Sequence, residues 1–459
     1  MPISREAAIS FAQNNQERFL EDLKALGAIP SVSTDSRAAP EMARAAEWLA
    51  SHLRKIGVKK VDIMPTAGNP VVYAEHSGAG SSAPTMLIYG HYDVQPAEPL
   101  ELWHSGPFTP EIRGDYIYGR GITDMKGQVL ASINAVEAVL KNSGLPVNVK
   151  FMLEGEEEIG SPNLAEFMRN NKDLLACDLA LNPDSGILSA DQPSITYALR
   201  GLAYFEIFIY GPDHDLHSGV FGGVVHNPGV ALCELIAGMH NTSGKVTLPG
   251  FYDPVKELGP DERREIARIP QSEAYYLEHT GAPALWGEPD FTPSERTGAR
   301  PTLEVNGLYS GYIGEGAKTV LPSYAMAKIS MRLVPNQNPD DVHQQLNQYL
   351  AEHAPGTIRY EVKALAGSPA SISDRESCGV KALSKAMQTV WGKQPIFKRE
   401  GGSVPVVTLF QQILGVESVN TGFSMSGDNM HSPNEKLHLP TWRRGTQALI
   451  HFLYNLAEA

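Results

Sequence analysis

Three short apolar segments of this chain, each typical of a buried strand, end in clusters of polar and acidic residues. The segments cover residues 86–89, 149–153 and 178–181, and the residues that follow them include His91, Asp93, Glu157, Glu158 and Asp184. Open α/β sheets bind ligands at the carboxyl ends of their strands. The sequence therefore predicts a sheet with one edge that gathers these side chains into a single site.

The second cluster carries the most negative charge of the three, because Glu156, Glu157 and Glu158 place three carboxylates at neighbouring positions. Like charges this close repel each other, and a chain tolerates them where solvent or a cation compensates. Two interpretations are open: a solvated acidic turn, or a set of carboxylates that holds metal. The recurrence of acidic residues after the other two segments favours the metal site.

The order of predicted elements changes near residue 200. Strands and helices alternate before it, which is typical of an α/β domain with a largely parallel sheet. After it the order is strand, helix, strand, strand, helix, strand, which is the ferredoxin-like signature. We therefore predict an α/β domain with a mostly parallel central sheet, built from residues 1–199 and 371–459. A ferredoxin-like α+β domain, residues 200–370, interrupts it.

The individual elements follow from apolar periodicity and from loop signals. Predicted helices cover residues 7–26, 40–56, 127–141, 228–239, 339–353, 379–391 and 441–456, and predicted strands cover 61–64, 71–74, 86–89, 149–153, 178–181, 204–210, 302–305, 325–333 and 357–362. The long segment 245–300 is rich in proline and charge, and its pattern predicts no fold.

Composition agrees with an enzyme of two or three domains. The chain has 459 residues, of which 42% are hydrophobic and 20% charged, so it can bury sizeable cores. Its formal net charge of -14 argues against nucleic acid or an anionic membrane as the main partner, because both are polyanions. A cationic cofactor remains compatible with this charge.

The cysteines and the apolar runs bear on location. Cys177, Cys233 and Cys378 are widely spaced and form no CxxC pair, which fits a reducing compartment and disfavours thiolate ligands. No apolar run reaches the roughly 18 to 20 residues of a membrane span. Residues 1–6 lead into a charged amphipathic helix rather than an apolar signal core. We therefore expect a cytoplasmic protein.

Four motifs carry a family resemblance. They are GHYDVQP at 90–96, YGRGITDMKG at 118–127, EGEEEIGS at 154–161 and HSPNE at 431–435. Together, in this order and over nearly the whole chain, they resemble the di-zinc metallopeptidases that include carnosinase, cytosolic non-specific dipeptidase, aminoacylase and succinyl-diaminopimelate desuccinylase. One such motif alone would be weak, but the four together are specific.

The resemblance implies a ligand set for two divalent metal ions. His91 and Asp184 would hold one ion, Glu158 and His431 would hold the second, and Asp124 would bridge them. Nitrogen and oxygen donors without sulfur suit Zn²⁺, which we expect, and also Mn²⁺ or Co²⁺.

The resemblance also implies catalytic residues. Glu157, directly before the ligand Glu158, would be the general base that activates a water bridging the two metals, and Asp93 would orient the imidazole of His91. Glu156 receives no role. His217, in the segment DLHSG, would polarise the scissile carbonyl from the inserted domain.

The inserted domain is expected to act as a lid and as a dimerisation domain. The resemblance assigns substrate binding to Thr319, to Arg332 and, in a loop at 400–403, to Ser403. Arg332 could pair with a peptide carboxylate, and an ion pair within its own domain is the alternative. A homodimer through the inserted domain is implied as well.

The leading functional hypothesis is a metal-dependent dipeptidase that acts on dipeptides or short peptides. The alternative is an N-acyl-amino-acid deacylase or desuccinylase with the same metals, since Asp124-Met125 is common in those relatives, whereas the dipeptidase branch often has two aspartates. A catalytically silent binding protein is a third hypothesis. The intact ligand set and Glu157 disfavour it. The preferred substrate side chains stay undetermined.

Overall fold

The protein, described here as a computed structural model for residues 5–458, divides into two compact units. The first comprises the described residues up to Tyr197, together with Ser373–Phe397 and the described residues from Pro405 onward. The second comprises Ala198–Ile372 and Lys398–Val404. Residues 1–4, which belong to the predicted entry into the first helix, lie outside the described part of the chain.

The described residues form fifteen α-helices and eighteen strands, together with short helical turns. The helices are α1 (Arg5–Asn14), α2 (Gln16–Gly27), α3 (Ala39–Ile56), α4 (Gly127–Ser143), α5 (Leu164–Asn170), α6 (Lys172–Leu175), α7 (Ser218–Phe221), α8 (Pro228–Gly238), α9 (Pro260–Ile266), α10 (Glu273–Thr280), α11 (Pro293–Ala299), α12 (Pro339–His353), α13 (Cys378–Trp391), α14 (Pro405–Leu409) and α15 (Leu439–Ala457). The strands are β1 (Lys60–Met64), β2 (Val71–His76), β3 (Thr85–His91), β4 (Glu111–Arg113), β5 (Tyr116–Tyr118), β6 (Asn148–Glu154), β7 (Leu179–Asn182), β8 (Ser194–Leu199), β9 (Gly201–Tyr210), β10 (Leu216–His217), β11 (Thr302–Ser310), β12 (Val320–Leu321), β13 (Tyr324–Leu333), β14 (Arg359–Ser368), β15 (Ser371–Ile372), β16 (Ile396–Glu400), β17 (Ser418–Asn420) and β18 (Lys436–His438).

The sheet of the first unit is parallel at its centre and antiparallel toward its edges. Its strand order is β1-β2-β6-β3-β7-β17-β8. The neighbours β6, β3, β7 and β17 run parallel, whereas β1, β2 and β8 are antiparallel to the strands beside them. The prediction of an α/β fold with a mostly parallel central sheet is confirmed.

Burial explains why the central strands carry apolar residues at successive positions. All seven residues of β6 and all four of β7 are buried, as are six of the seven in β3. Strands that are covered on both faces need apolar side chains at successive positions, not at alternate ones. The helix α4 packs against α1, α15 and β3, and α13 packs against α15 and β17. The polar residues at the strand ends therefore stand out against an apolar frame.

One predicted helix is divided into two helices in the structure. The pattern predicts a single helix over residues 7–26, but the chain forms α1 and α2, which are separated by Asn15. The Asn15 side-chain amide donates to the carbonyl oxygen of Phe11 at 2.9 Å, and its backbone has φ -108° and ψ 14°. Asparagine competes with the helix by bonding nearby backbone groups, so it can end one helix and begin the next.

The second unit contains an antiparallel sheet in the order β11-β13-β9-β14. Along the chain the elements run β9, α8, β11, β13, α12 and β14, so the predicted ferredoxin-like order is confirmed. The helices α8 and α12 pack against the sheet. The core between them includes Phe205, Ile207, Leu235, Ile329 and Leu346.

The segment 245–300, for which the sequence predicts no fold, belongs to the second unit and contains α9, α10 and α11. Arg300 is buried and makes two hydrogen bonds to Glu288, at 3.0 and 2.8 Å. Its guanidinium also lies 4.3 Å from the ring centroid of Phe291 and 5.0 Å from that of Tyr252. This charged and aromatic cluster adds to the apolar contacts that the segment makes with the core of the second unit.

Candidate metal centre

The central strands of the first unit carry three of the residues predicted as metal ligands. His91 is the last residue of β3, Glu158 lies in the helical turn after β6, and Asp184 follows β7 by two residues. Asp124 lies in an irregular turn directly before α4, and His431 lies in the loop between β17 and β18. Parallel strands end at the same edge, which brings His91, Glu158 and Asp184 together, and the turn of Asp124 and the loop of His431 complete two adjoining groups of donor atoms.

The two groups share Asp124. In the first, His91 Nε2 lies 3.2 Å from Asp124 Oδ1 and 3.9 Å from Asp184 Oδ2. In the second, His431 Nε2 lies 2.9 Å from Asp124 Oδ2 and 3.3 Å from Glu158 Oε2. The donor atoms of each group lie within 4.8 Å of one another. Each group therefore offers one imidazole nitrogen, one carboxylate oxygen of its own and one oxygen of Asp124.

The buried carboxylates of these two groups favour positive charge close to them. Burial raises the pKa of Asp184 well above its ordinary value, and the neighbouring charge of Asp124 raises it further. Hydrogen bonds to Asp124 and then to Glu158 raise the pKa of His431 to about 10. The carboxylates thus draw positive charge onto an imidazole, and divalent cations would supply the same compensation at the same atoms. Nitrogen and oxygen donors in this number fit two such ions.

Asp93 is completely buried beside His91 and makes more contacts than the sequence predicts. His91 Nδ1 lies 3.0 Å from the backbone oxygen of Asp93 and 3.3 Å from its Oδ1. The carboxylate also accepts the backbone N–H of Glu157 at 3.2 Å and that of Glu158 at 3.0 Å. One aspartate thus holds the imidazole and the turn that bears the two glutamates.

The three consecutive glutamates have different surroundings. Glu156, for which the sequence predicts no role, is buried and accepts the backbone N–H of Asn69 at 2.9 Å and the amide of Asn163 at 2.8 Å. Glu157 belongs to neither donor group, and burial raises its pKa to about 7. Glu158 turns its carboxylate toward His431. Glu156 is therefore a structural carboxylate, Glu157 lies outside both donor groups, and Glu158 is a donor.

Sequence reasoning missed two residues that support the donors. The side-chain amide of Gln95 donates to Glu158 Oε2 at 2.8 Å. Glu435 is completely buried, and its carboxylate accepts the backbone N–H of Asp124 at 3.2 Å. Both lie inside motifs that carry the family resemblance, at 90–96 and 431–435. A polar residue within a motif, but without an assigned role, is the signal that could have pointed to them.

The remaining predicted site residues lie in the second unit. His217 ends β10, which pairs with β12, and the backbone oxygen of Thr319 accepts the N–H of Ser218 at 3.1 Å. His217 and Thr319 are exposed. His217 Nδ1 accepts the backbone N–H of Gly219 at 3.0 Å. The proton of a neutral ring then lies on Nε2, so this atom is a free donor.

Arg332 lies near the end of β13 and contacts Ser403. Its Nη1 donates to Ser403 Oγ at 3.0 Å, and this hydroxyl donates to the backbone oxygen of Arg200 at 2.6 Å. Burial alone lowers the pKa of Arg332, with no carboxylate contributing. Within residues 5–458 the predicted alternative of an intradomain ion pair at Arg332 is therefore wrong.

Among the described helices, none has the length and apolar character needed to cross a bilayer. Within residues 5–458, Cys177, Cys233 and Cys378 are all free of disulfide bonds.

Comparison with known proteins places this arrangement in a family. The model of Peptidase family M20/M25/M40 matches residues 87–455. The Cys-Gly metallodipeptidase dug1 of Schizosaccharomyces pombe is 32% identical over 477 residues, covering 100% of this chain and 99% of that protein. The human Beta-Ala-His dipeptidase is 31% identical over 476 residues, covering 100% of this chain and 94% of that protein.

A solved structure is also similar to this chain over nearly its whole length. The M20 family metallo-carboxypeptidase Sso-CP2 from Sulfolobus solfataricus superposes with a TM-score of 0.85 at 32% identity, covering 96% of this chain and 99% of that one. The family model spans most of the chain, and the similarity to the relatives is nearly end to end, so the predicted resemblance is confirmed. The protein belongs to Peptidase family M20/M25/M40 and is a metallopeptidase that uses divalent metal.

Proposed function

We propose that this protein is a dipeptidase that hydrolyses the peptide bond of dipeptides with a free amino terminus. The observation that carries the proposal is the pair of donor groups joined through Asp124, with Glu157 beside them and outside both. The prediction of a metal-dependent dipeptidase agrees with the relatives, which are named as acting on Cys-Gly and on Beta-Ala-His. Cys-Gly and Beta-Ala-His are therefore the first substrates to test.

The ligand assignment follows the geometry of the two groups. His91 and Asp184 would hold one ion, Glu158 and His431 the other, and Asp124 would contribute one oxygen to each. Zn²⁺ is the ion we propose, because borderline nitrogen and hard oxygen donors in groups of three suit it. When bound, such ions polarise the substrate carbonyl and lower the pKa of water.

Glu157 is the proposed general base. Its backbone is fixed by Asp93, and its side chain belongs to neither donor group, so the carboxylate is available for proton transfer. It would accept a proton from the water that attacks the carbonyl carbon, and it would deliver that proton to the leaving nitrogen as the C–N bond breaks. The products are a carboxylic acid and an amine, each with the correct number of protons.

Two groups of the second unit are proposed to bind the substrate. His217 has its ring proton on the exposed Nε2, so it can donate to a carbonyl oxygen and stabilise the charge that develops there. Arg332 has no carboxylate neighbour among the described residues and is held by Ser403, so the substrate carboxylate would be its ionic partner. Thr319, in a separate segment of the second unit, is proposed to contact the substrate as well.

We also propose a homodimer through the second unit. The strand β11 is an edge of the four-stranded sheet, and it exposes Val305, Leu308 and Tyr309. An edge strand with free backbone groups and exposed apolar side chains can pair with the same strand of a second copy about a twofold axis. Leu308→Lys should then give a monomer in sedimentation, whereas Leu365→Lys on the opposite edge strand β14 should not. An unchanged dimer in the first variant would contradict this interface.

The domain roles and the location are proposals of the same kind. Residues 1–199 and 371–459 would form the catalytic domain, and 200–370 the lid and dimerisation domain. Three unpaired cysteines support a reducing compartment, and we propose the cytoplasm.

The test of function combines metal analysis with a substrate panel. Protein loaded with Zn²⁺ should hydrolyse an alanyl dipeptide, should lose activity with a chelator and should regain it with Zn²⁺. The matched N-acyl amino acid separates the two enzyme hypotheses. Cleavage of the N-acyl compound but not of the dipeptide would replace the dipeptidase by the deacylase, and cleavage of neither would favour a silent fold.

A further inference from the structure

Glu435 is a buried residue whose carboxylate is bonded to the turn of the shared ligand, and it lies four residues after His431 in the chain. Its side chain is completely buried among the described residues. Four donors converge on its carboxylate: Oε2 accepts Arg120 Nη1 at 2.7 Å and the N–H of Gly121 at 2.9 Å, and Oε1 accepts the N–H of Thr123 at 3.0 Å and that of Asp124 at 3.2 Å. Each oxygen thus receives two hydrogen bonds from the turn that contains Asp124.

The turn needs such support because its backbone is irregular. Asp124 has φ -121° and ψ 95°, which is not helical, although α4 begins three residues later. Several N–H groups of this turn are therefore not satisfied by regular helix bonds. The carboxylate of Glu435 accepts three of them and thereby fixes the direction of the Asp124 side chain.

The loop with His431 has a similar requirement. Asn429, His431 and Asn434 have φ values of 57°, 60° and 61°, a left-handed conformation that asparagine tolerates and that is unfavourable for His431. Such a loop persists where its ends are tied down. Glu435 ties one end, since its backbone oxygen accepts the N–H of Gly119 at 2.9 Å.

We propose that Glu435 is a positioning residue for both metal ions, acting through Asp124, which the two donor groups share, and through the loop of His431. The inference rests on the proposed ligand assignment. It differs from a general contribution to folding because it predicts a defect in metal affinity in protein that is folded. Outer partners of metal ligands typically contribute 10- to 100-fold to metal affinity.

Gln95 provides the contrast within the same site. It donates to Glu158, which belongs to the second donor group only. Gln95→Leu should weaken one of the two ions. Glu435→Gln should weaken both, because a glutamine must turn its NH₂ group toward one of the two donor pairs and can accept at one atom only.

The experiment uses the full-length protein, stripped with a chelator and titrated with Co²⁺, with the absorption of bound Co²⁺ as the readout. For Glu435→Gln both equivalents should bind about 10- to 100-fold more weakly, and for Gln95→Leu one equivalent only. Glu288→Gln is the matched control, since Glu288 is also buried and bonded to an arginine but lies in the second unit. It should bind both ions like the wild type.

Wild-type affinity of Glu435→Gln for both ions would overturn the proposal, whatever its stability. If this variant does not fold, Glu435→Asp is the second test. It retains the charge but cannot reach all four donors, so it should bind both ions more weakly. Normal binding of both ions by Glu435→Asp would overturn the proposal. The titration contains no peptide, so its result is separate from the dipeptidase assay. If the protein binds two ions but cleaves no dipeptide, the proposed function is contradicted and the positioning role of Glu435 is not.

Discussion

Replacement of Glu157 by glutamine is the sharpest test of the proposed chemistry. Glutamine has the shape of glutamate but cannot accept a proton at neutral pH. The backbone bonds that hold the turn, from Glu157 and Glu158 to Asp93 at 3.2 and 3.0 Å, do not involve the altered side chain. The side chain belongs to neither donor group, so both groups keep their ligands. The variant should therefore bind two ions.

The expected loss is in turnover. A positioned general base contributes roughly 100- to 10,000-fold to the rate, which corresponds to about 2.7 to 5.4 kcal/mol of activation free energy. Because the substrate contacts are proposed at other residues, we expect kcat to fall by this factor while KM stays within about threefold. Loss of both parameters together would point to a disturbed site instead.

The assay measures dipeptide hydrolysis and metal content in the same preparation. Glu156→Gln is the control, since Glu156 is the neighbouring buried carboxylate and bonds Asn69 and Asn163. The amide of Asn163 can turn to accept from the new glutamine, so the cost in unfolding free energy should be about 1 kcal/mol and turnover should be retained. Glu157→Gln protein that is fully loaded with metal and works within tenfold of the wild type would refute Glu157 as the base.

Three further predictions concern residues outside the donor groups. Arg332→Lys should raise KM for a free dipeptide about 10- to 100-fold, because lysine cannot form the forked hydrogen bonds to a carboxylate. KM for the dipeptide amide, which has no carboxylate, should change little. Equal effects on both substrates would contradict carboxylate binding. Burial lowers the pKa of His52 from its ordinary value of 6.5 to about 4. Between these two pH values the unfolded chain binds a proton at His52 that the folded chain does not, so acid favours unfolding. The free energy of unfolding should fall by about 2 kcal/mol between pH 7 and pH 5, and His52→Phe should remove this part in urea unfolding at the two pH values. In Gly422→Ala the new Cβ would clash with the backbone oxygen of Ser185, the residue after the donor Asp184, so metal content and thermal stability should both fall. Gly427→Ala, whose new Cβ would have no neighbouring atom within 4 Å, should behave like the wild type.

Much of the fold could be predicted because the signals are local. The apolar runs of β3, β6 and β7 are visible in the sequence, since strands covered on both faces carry apolar side chains at successive positions. The helix α12 begins and ends at the predicted residues, with Asn338 as its N-cap and proline in its first turn. The break at Asn15 was missed because a single side chain, bonded to Phe11, decides it.

The metal site shows the same division. The identity of the candidate ligands is contained in short motifs, and the strand-end argument alone brings three of them to one edge. The partners that support them lie far away in sequence: Gln95 is 63 residues from Glu158, and Glu435 is 311 residues from Asp124. No periodicity links such positions.

By itself, the sequence determined which residues can provide donors and which strands deliver them, because alternation of strand and helix and the composition of strand ends are properties of neighbouring residues. Only the tertiary structure decided what each glutamate of the triplet contacts, that Asp93 holds the turn of Glu157 and Glu158, and that Arg332 has no ionic partner among the described residues. The physical reason is that a buried polar group needs a partner at hydrogen-bond distance, and the packing of distant segments determines which partner is there.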